Sequence, residues 1–237
     1  MKILIVNDDS ISAPGIEMLA RMAASLGEVT VVAPAEQCSA MSQRLTIRGE
    51  LRVRKVPFPV PVKAAWQVSG TPVDCVKVAL HYILEEKPDW VFSGINNGYN
   101  AGFDIPYSGT LGAAFEAARN GIPAIAFSAA NNIWLPLAEP YLLCVARELM
   151  DQTLEPLWVW NVNFPSGKNG PVKGILRDRC AAQVPMYIEE YAAEAREDGS
   201  VVLTTRGKPA SDEEIPPGTD AKAVREGYIS IGKVRAF

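Results

Sequence analysis

Residues 2–7 (KILIVN) form an apolar, β-branched run that stops at two acids, and Ile16, Leu19, Ala20 and Met22 then recur at helical spacing within 13–26. This predicts strand, loop and helix. Residues 28–33 (EVTVVA) read as a second strand stopped by Pro34, and 35–48 are polar and mixed, the composition of a long, mobile loop. A strand over 51–56, a helix from about Pro72 to Glu86 capped by Thr71, and an apolar strand over 89–93 follow. Between Gly94 and Thr110 the chain reads GINNGYNAGFDIPYSGT, a long connection of the kind that more often carries function than idles. Leu111 to Asn120 is Ala-rich and helical, and Ile122 to Ser128 has the pattern of a buried strand.

Strands alternating with helices from residue 2 to about 163 predict an α/β fold, a Rossmann-like, mostly parallel sheet sandwiched by helices. In such sheets ligands sit outside the carboxyl ends of the strands. After Asn163-Phe164-Pro165 the pattern changes: 172–206 read as an antiparallel β-ribbon with charged interruptions, and 207–218 as a loop. The expected organisation is an α/β catalytic core over 1–165 and a C-terminal β-ribbon and tail over 166–237. That tail is too thin to fold alone, and extends the sheet or embraces a second subunit.

The composition, 48% hydrophobic and 21% charged over 237 residues, is that of a folded soluble domain. A formal net charge of −4 argues against a surface that holds nucleic-acid polymers by neutralising phosphates. The opening apolar run is interrupted by aspartates before it reaches signal-peptide or membrane-spanning length, so a cytoplasmic protein without membrane attachment is expected. Cys38, Cys75, Cys144 and Cys180 show no CxxC spacing, which disfavours a zinc ribbon or a disulfide framework and predicts mostly buried thiols. The single histidine, His81, lies in a helical stretch and is expected to pack rather than to catalyse. Histidine-rich zinc sites and Ser-His-Asp hydrolysis are therefore excluded, and any metal must be held mainly by oxygen.

Asp8 and Asp9 directly follow the first strand, where two adjacent negative charges repel unless a cation or hydrogen-bond donors offset them. Hard oxygen ligands favour Mg²⁺, Mn²⁺ or Ca²⁺ over zinc. The same residues also fit a plainer role, with Asp9, Ser10 or Ser12 capping the next helix. Asn96 can offer a carbonyl oxygen to a metal or an amide to phosphate, while Asn97-Gly98 signals a turn; the two readings coexist. Ser108-Gly109-Thr110 opens a helix whose free N–H groups and dipole suit a phosphate, and which as a capped start needs no ligand. Ser69-Gly70-Thr71 with Asp74 repeats that pattern and reads better as a capping motif. Ser39 and Ser42 in the polar loop could reach a metal at Asp8, but nothing local establishes it.

Several alternatives fail on the residues. A receiver domain would need a phosphoacceptor aspartate on the third strand, and none occurs between Asp9 and Asp74. DxDxT, GxGxxG, GxxxxGK[ST] and GxSxG are absent, which disfavours haloacid-dehalogenase-type phosphatases, dinucleotide-binding modules, P-loop proteins and α/β-hydrolases.

Taken in order, ILIVNDD (3–9), VVAP (31–34), SGTPVDCV (69–76), SGINNGYNAG (93–102), YSGTLGAAFEA (107–117), NVNFP (161–165) and TDAKAVREGYISI (219–231) resemble the SurE family of stationary-phase survival proteins across nearly the whole chain. The resemblance implies a metal-dependent 5′-nucleotidase, a phosphomonoesterase acting on nucleoside 5′- and 3′-monophosphates and on short polyphosphate. It implies one divalent cation per subunit, Mg²⁺ or Mn²⁺, on Asp8, Asp9, Ser39 and Asn96, with Asp8 and Asp9 catalytic and Asn96, Ser108, Gly109 and Thr110 at the phosphate. It implies homodimers or homotetramers built through exchanged tail segments. Three segments depart from the family pattern. Ser10 replaces the glycine of NDDG, Cys38-Ser39-Ala40 replaces Arg-Ser-Gly, and Ile231-Gly232-Lys233 replaces Ile-Thr-Pro.

Overall fold

The computed structural model describes residues 1–211 and 214–236. Strands β1 (Lys2–Val6), β2 (Glu28–Pro34), β3 (Val53–Lys55), β4 (Ala64–Val68), β5 (Trp90–Asn97), β6 (Ala124–Ala129), β7 (Trp158–Phe164), β8 (Ile175–Leu176) and β11 (Ile229–Arg235) make one sheet in the order β3-β4-β2-β1-β5-β6-β7-β11-β8. A separate two-stranded ribbon pairs β9 (Tyr187–Ala195) with β10 (Val201–Pro209) antiparallel. In the main sheet, β3 on β4 and β11 on β7 are antiparallel, and the other neighbours run parallel. This is the expected mostly parallel α/β architecture.

The chain runs outward from β1 through β2 to β4, then returns to β5 on the other side of β1. Crossovers therefore leave β1 and β5 in opposite directions, and a crevice opens beyond their carboxyl ends. Helices α1 (Pro14–Ala23) and α4 (Glu139–Met150) cover one face, where Ile16, Leu19, Leu142 and Val145 pack on Phe92, Phe127 and Phe164. Helices α2 (Pro72–Val78) and α3 (Gly109–Arg119) cover the other through Val76, Leu111, Ala114 and Phe115. Burial on both faces explains the near-continuous apolar runs of β1, β2 and β6. A short helix α5 (Asp220–Arg225) precedes β11.

Several expectations change. Strand β4, with its interrupted pattern AAWQV, was not foreseen. The helix foreseen over 72–86 is α only to Val78; it widens into a π-helical turn over Ala79–Ile83 and stops. That turn rotates His81 to an exposed position instead of packing it. Cys38 and Cys75 are buried, but Cys144 and Cys180 are exposed. The ribbon foreseen over 172–206 begins only at Tyr187 and runs to Pro209, and the tail also supplies β8, α5 and β11. Within the loop foreseen over 207–218, Asp212 and Glu213 lie outside the described residues, as does Phe237 at the end of the tail. Among the described residues no helix is long and apolar enough to cross a membrane.

Candidate active site

The carboxyl end of β1 delivers Asn7, Asp8 and Asp9 in sequence to the β1/β5 crevice. Asp8 is 4% exposed, and its Oδ1 accepts a 2.6 Å hydrogen bond from the Thr110 hydroxyl. Burial pushes the Asp8 carboxyl up to about 7, against the pull of Thr110, and the neighbouring Asp9 charge pushes the same way. Asp9 is less buried; its Oδ2 accepts the Asn97 backbone N–H at 2.8 Å, and Gln37 donates to Oδ1 at 3.4 Å. Its carboxyl is also raised, again by burial. Among the described residues neither carboxylate has a salt bridge.

The helix-capping role open to Asp9, Ser10 and Ser12 is not realised. The residue before α1 is Ala13, no side chain caps that helix, and Pro14 at its first turn needs no N–H acceptor. Ser10 instead stands at φ 91°, a left-handed conformation that suits glycine, with its carbonyl accepting from the Asn7 side chain at 2.7 Å. The Asn7 Oδ1 is buried without a hydrogen-bond partner among the described residues.

A register shift between Ser93 and Asn96, where β5 carries one more residue than β6, bends the end of β5 over the crevice. Asn96 is half-buried there, with its side-chain amide donating to the Gly98 carbonyl at 2.9 Å. The turn expected at Asn97-Gly98 is not formed: β5 runs on through Asn97, and Gly98, at φ 143°, makes only a bend while its N–H donates to the Ala129 carbonyl. The polar loop is tied to the site by its backbone: the Cys38 N–H donates to the Asp8 carbonyl at 2.7 Å, and the next residue is the exposed Ser39. Ala40 follows at φ 56°, a second left-handed position. Ser42 plays a different part, since its hydroxyl donates to the Pro106 carbonyl at 2.7 Å and its N–H to that of Tyr107.

Helix α3 closes the site. Ser108 caps it by accepting the Leu111 N–H at 3.0 Å, and the first N–H groups of any helix lack intrahelical acceptors. Gly109 packs closely: a Cβ there would stand 3.0 Å from the Asp8 Cβ and 3.3 Å from the Cys38 carbonyl oxygen, tight enough to press on both. The structure thus brings Asp8, Asp9, Asn96, Ser108, Gly109, Thr110 and the loop carrying Ser39 together. Ser69 to Asp74 form the expected capping box on α2, whose Asp74 also accepts from the Thr46 N–H and hydroxyl.

Sequence reasoning missed the groups that hold this arrangement. Asn100, buried, bonds through its backbone N–H to Asn163 Oδ1, through its carbonyl to the side chains of Asn161 and Asn163, and through its own amide to Ser128. The signal was available: Asn161 and Asn163 are polar residues two apart on a fully buried strand, hence on one face. Asp220, from the tail, accepts the N–H groups of Gly102, Ala182 and Ala221 and so fixes the segment that leads to Ser108.

Two adjacent, desolvated carboxylates without a cationic partner need a proton or a cation. The expected neutral oxygens, of Ser39 and Asn96, are carried on segments tied to the pair through the Cys38 and Asn97 N–H groups, and such a donor set suits a hard divalent ion. Among the described residues no group of three or more His, Cys, Asp or Glu is positioned to hold a metal, so such an ion would depend on those neutral oxygens.

Residues 3–185 match the family model described as Survival protein SurE. A protein named 5′-nucleotidase SurE from Flavobacterium psychrophilum is 38% identical over 236 residues, 98% of this chain and 91% of that protein. One of the same name from Thermoanaerobacter sp. (strain X514) is 40% identical over 233 residues, 98% of this chain and 90% of that protein. The crystal structure of the SurE protein from Aquifex aeolicus superposes with a TM-score of 0.83 at 33% identity, covering 100% of this chain and 94% of that one.

Proposed function

The chain belongs to the Survival protein SurE family, and from that membership we propose that it is a metal-dependent phosphomonoesterase hydrolysing nucleoside 5′-monophosphates, with nucleoside 3′-monophosphates and short polyphosphate as further substrates. One observation carries the reading: the buried Asp8 carboxylate, beside Asp9 and without a salt bridge, faces the open start of α3 at the sheet's crossover point. An acid pair that calls for a cation and a helix start that calls for an anion are thereby juxtaposed, and a metal ion with a phosphoryl group satisfies both.

One Mg²⁺ or Mn²⁺ per subunit, held by Asp8, Asp9, Ser39 and Asn96, would supply Lewis acidity toward a phosphoryl oxygen and lower the pKa of a water. The protein's own groups do the rest. The N–H groups of Gly109 and Thr110 and the Ser108 hydroxyl, with the Asn96 side chain, hold the phosphate and stabilise charge on its equatorial oxygens. Thr110 keeps Asp8 turned toward the crevice. Asp8 or Asp9 takes the proton of the attacking water, a role His81 is not placed to share, because it lies exposed beyond α2. Water attacks phosphorus, the bond to the ribose oxygen breaks, the proton held by the aspartate passes to that oxygen, and nucleoside and phosphate leave.

Homodimers or homotetramers belong to the same proposal, supported by the β9–β10 ribbon, which exposes Tyr187, Tyr191, Val201 and Leu203. A cytoplasmic setting is supported by four free thiols. The test is phosphate release from 5′- and 3′-nucleotides and from polyphosphate after chelation and re-addition of Mg²⁺ or Mn²⁺. Release that returns with the metal is expected, and release indifferent to chelation overturns the mechanism.

A further inference from the structure

Beside the acid pair, behind the polar loop, lies a recess of about 310 Å³ whose walls include Glu36, Cys38, Met41, Arg44 and Ser69. Its volume is at the lower end of the range for small-molecule sites. It shares a wall with the carboxylates: Gln37 donates to Asp9, and the Cys38 N–H donates to the Asp8 carbonyl. A group attached to a phosphate at the start of α3 has this recess as a neighbour.

The lining is chemically uneven. Met41 and Cys38 offer apolar surface to a flat ring. Glu36 and Arg44, both exposed at the walls, have no salt bridge with each other or with any other described residue. Arg44 is anchored through its carbonyl, which accepts the Thr71 hydroxyl at 2.6 Å, so its side chain starts from a fixed point. A guanidinium only donates hydrogen bonds and a carboxylate only accepts them. A second phosphate would suit Arg44 but would be repelled by Glu36.

Guanine matches both. One edge presents two acceptors, N7 and O6, and the next presents two donors, N1–H and the exocyclic amine. Adenine offers an amine where Arg44 would donate, and a lone pair at N1 where Glu36 would accept. We propose that this recess receives the nucleobase and that Arg44 and Glu36 together select 6-oxopurine nucleotides, guanine above all. Hypoxanthine, which keeps O6, N7 and N1–H but lacks the amine, ranks between guanine and adenine. The assignment rests on the nucleotidase reading above, with the phosphate at the start of α3.

The experiment compares kcat/KM for GMP, IMP and AMP at one metal concentration, together with calorimetric binding of guanosine and adenosine. The expected order is GMP, IMP, AMP, with GMP favoured over AMP about tenfold or more, the discrimination typical of a bidentate base contact. R44A should lower kcat/KM for GMP at least about fivefold more than for AMP. E36Q, whose amide also donates, should shift the ratio toward AMP. A wild-type ratio within about twofold of unity, or a ratio that survives both variants, overturns the base assignment while leaving the hydrolase reading intact. Selective guanosine binding without phosphate release from any nucleotide would overturn the hydrolase reading and keep the recess.

Discussion

The Thr110 hydroxyl reaches Asp8 Oδ1 at 2.6 Å across 102 positions of sequence, tying the start of α3 to the tip of β1. This bond holds Asp8 down toward the carboxylate range while burial pushes it up. Thr110→Val keeps the volume and removes the donor, so Asp8 should become harder to ionise. At metal concentrations below saturation, nucleotide hydrolysis should fall about tenfold near pH 6.5 and recover as pH or metal concentration rises, since proton and metal compete for Asp8. A pH profile of kcat/KM that drops evenly at all pH values would contradict this.

Asp8→Asn and Asp9→Asn preserve shape but remove the negative charges that a divalent ion would answer. Each should lower kcat and kcat/KM for nucleotide hydrolysis by about 100-fold or more, with circular dichroism unchanged. Wild-type turnover in either purified variant would end the proposed mechanism.

Without metal, the raised carboxyls work against stability as pH increases. Folded Asp8 titrates at about 7 and its unfolded counterpart near 3.8, so between those values the folded chain keeps a proton that the unfolded chain has lost. Stability from this group is present at low pH and is lost as pH climbs toward about 7, at up to about 1.4 kcal/mol per pH unit. Asp9, also raised, acts in the same direction. Thermal unfolding of chelated protein from pH 4.5 to 8 should show a steeper decline in the wild type than in Asp8→Asn, which keeps only the Asp9 contribution. Added Mg²⁺ or Mn²⁺ should offset it most at the alkaline end.

Ser10 and Ala40 hold left-handed backbone at φ 91° and 56°. Ser10→Gly and Ala40→Gly should each stabilise the fold by about 1 kcal/mol, the relieved strain exceeding the added chain entropy. Denaturant titration decides the sign. Loss of stability in both variants would show that neither side chain is strained.

Asp220 satisfies three backbone N–H groups from two distant segments. Asp220→Ala should cost about 3 kcal/mol and raise KM for nucleotides, because the segment entering Ser108 loses its anchor. Asp220→Asn, able to accept but not to carry charge, should lie between. An Ala variant with wild-type melting temperature and KM would assign the network no positioning role.

Much of the site was legible because Asp8 and Asp9 follow a strand whose apolar run is uninterrupted, and Asn96 lies near the end of another, β5, which runs four residues beyond the strand expected over 89–93. Asp8 and Asn96 were expected at the carboxyl edge because the alternation of strands and helices predicts a mostly parallel sheet; that β1 and β5 are neighbours came only with the structure. Strand β4 escaped notice because AAWQV, the inner neighbour of the short edge strand β3, is only partly buried and follows a proline-rich stretch. His81 was misjudged because helical spacing holds only to Val78, where the helix widens. Asn161 and Asn163 carried a local signal, as polar residues on one face of a buried strand, but their partner Asn100 and the N–H groups met by Asp220 lie far away in sequence, and no local pattern encodes those meetings.

That remoteness has a kinetic side. Thr110 meets Asp8 across 102 positions, Asn97 meets Asp9 across 88, and Gly102 meets Asp220 across 118. Closures of this span must be completed before their contacts repay the lost entropy, and chains dominated by them fold slowly. During refolding, the crevice should therefore mature among the last features to form, and dissolved divalent ions should accelerate little before collapse while retarding unfolding afterwards.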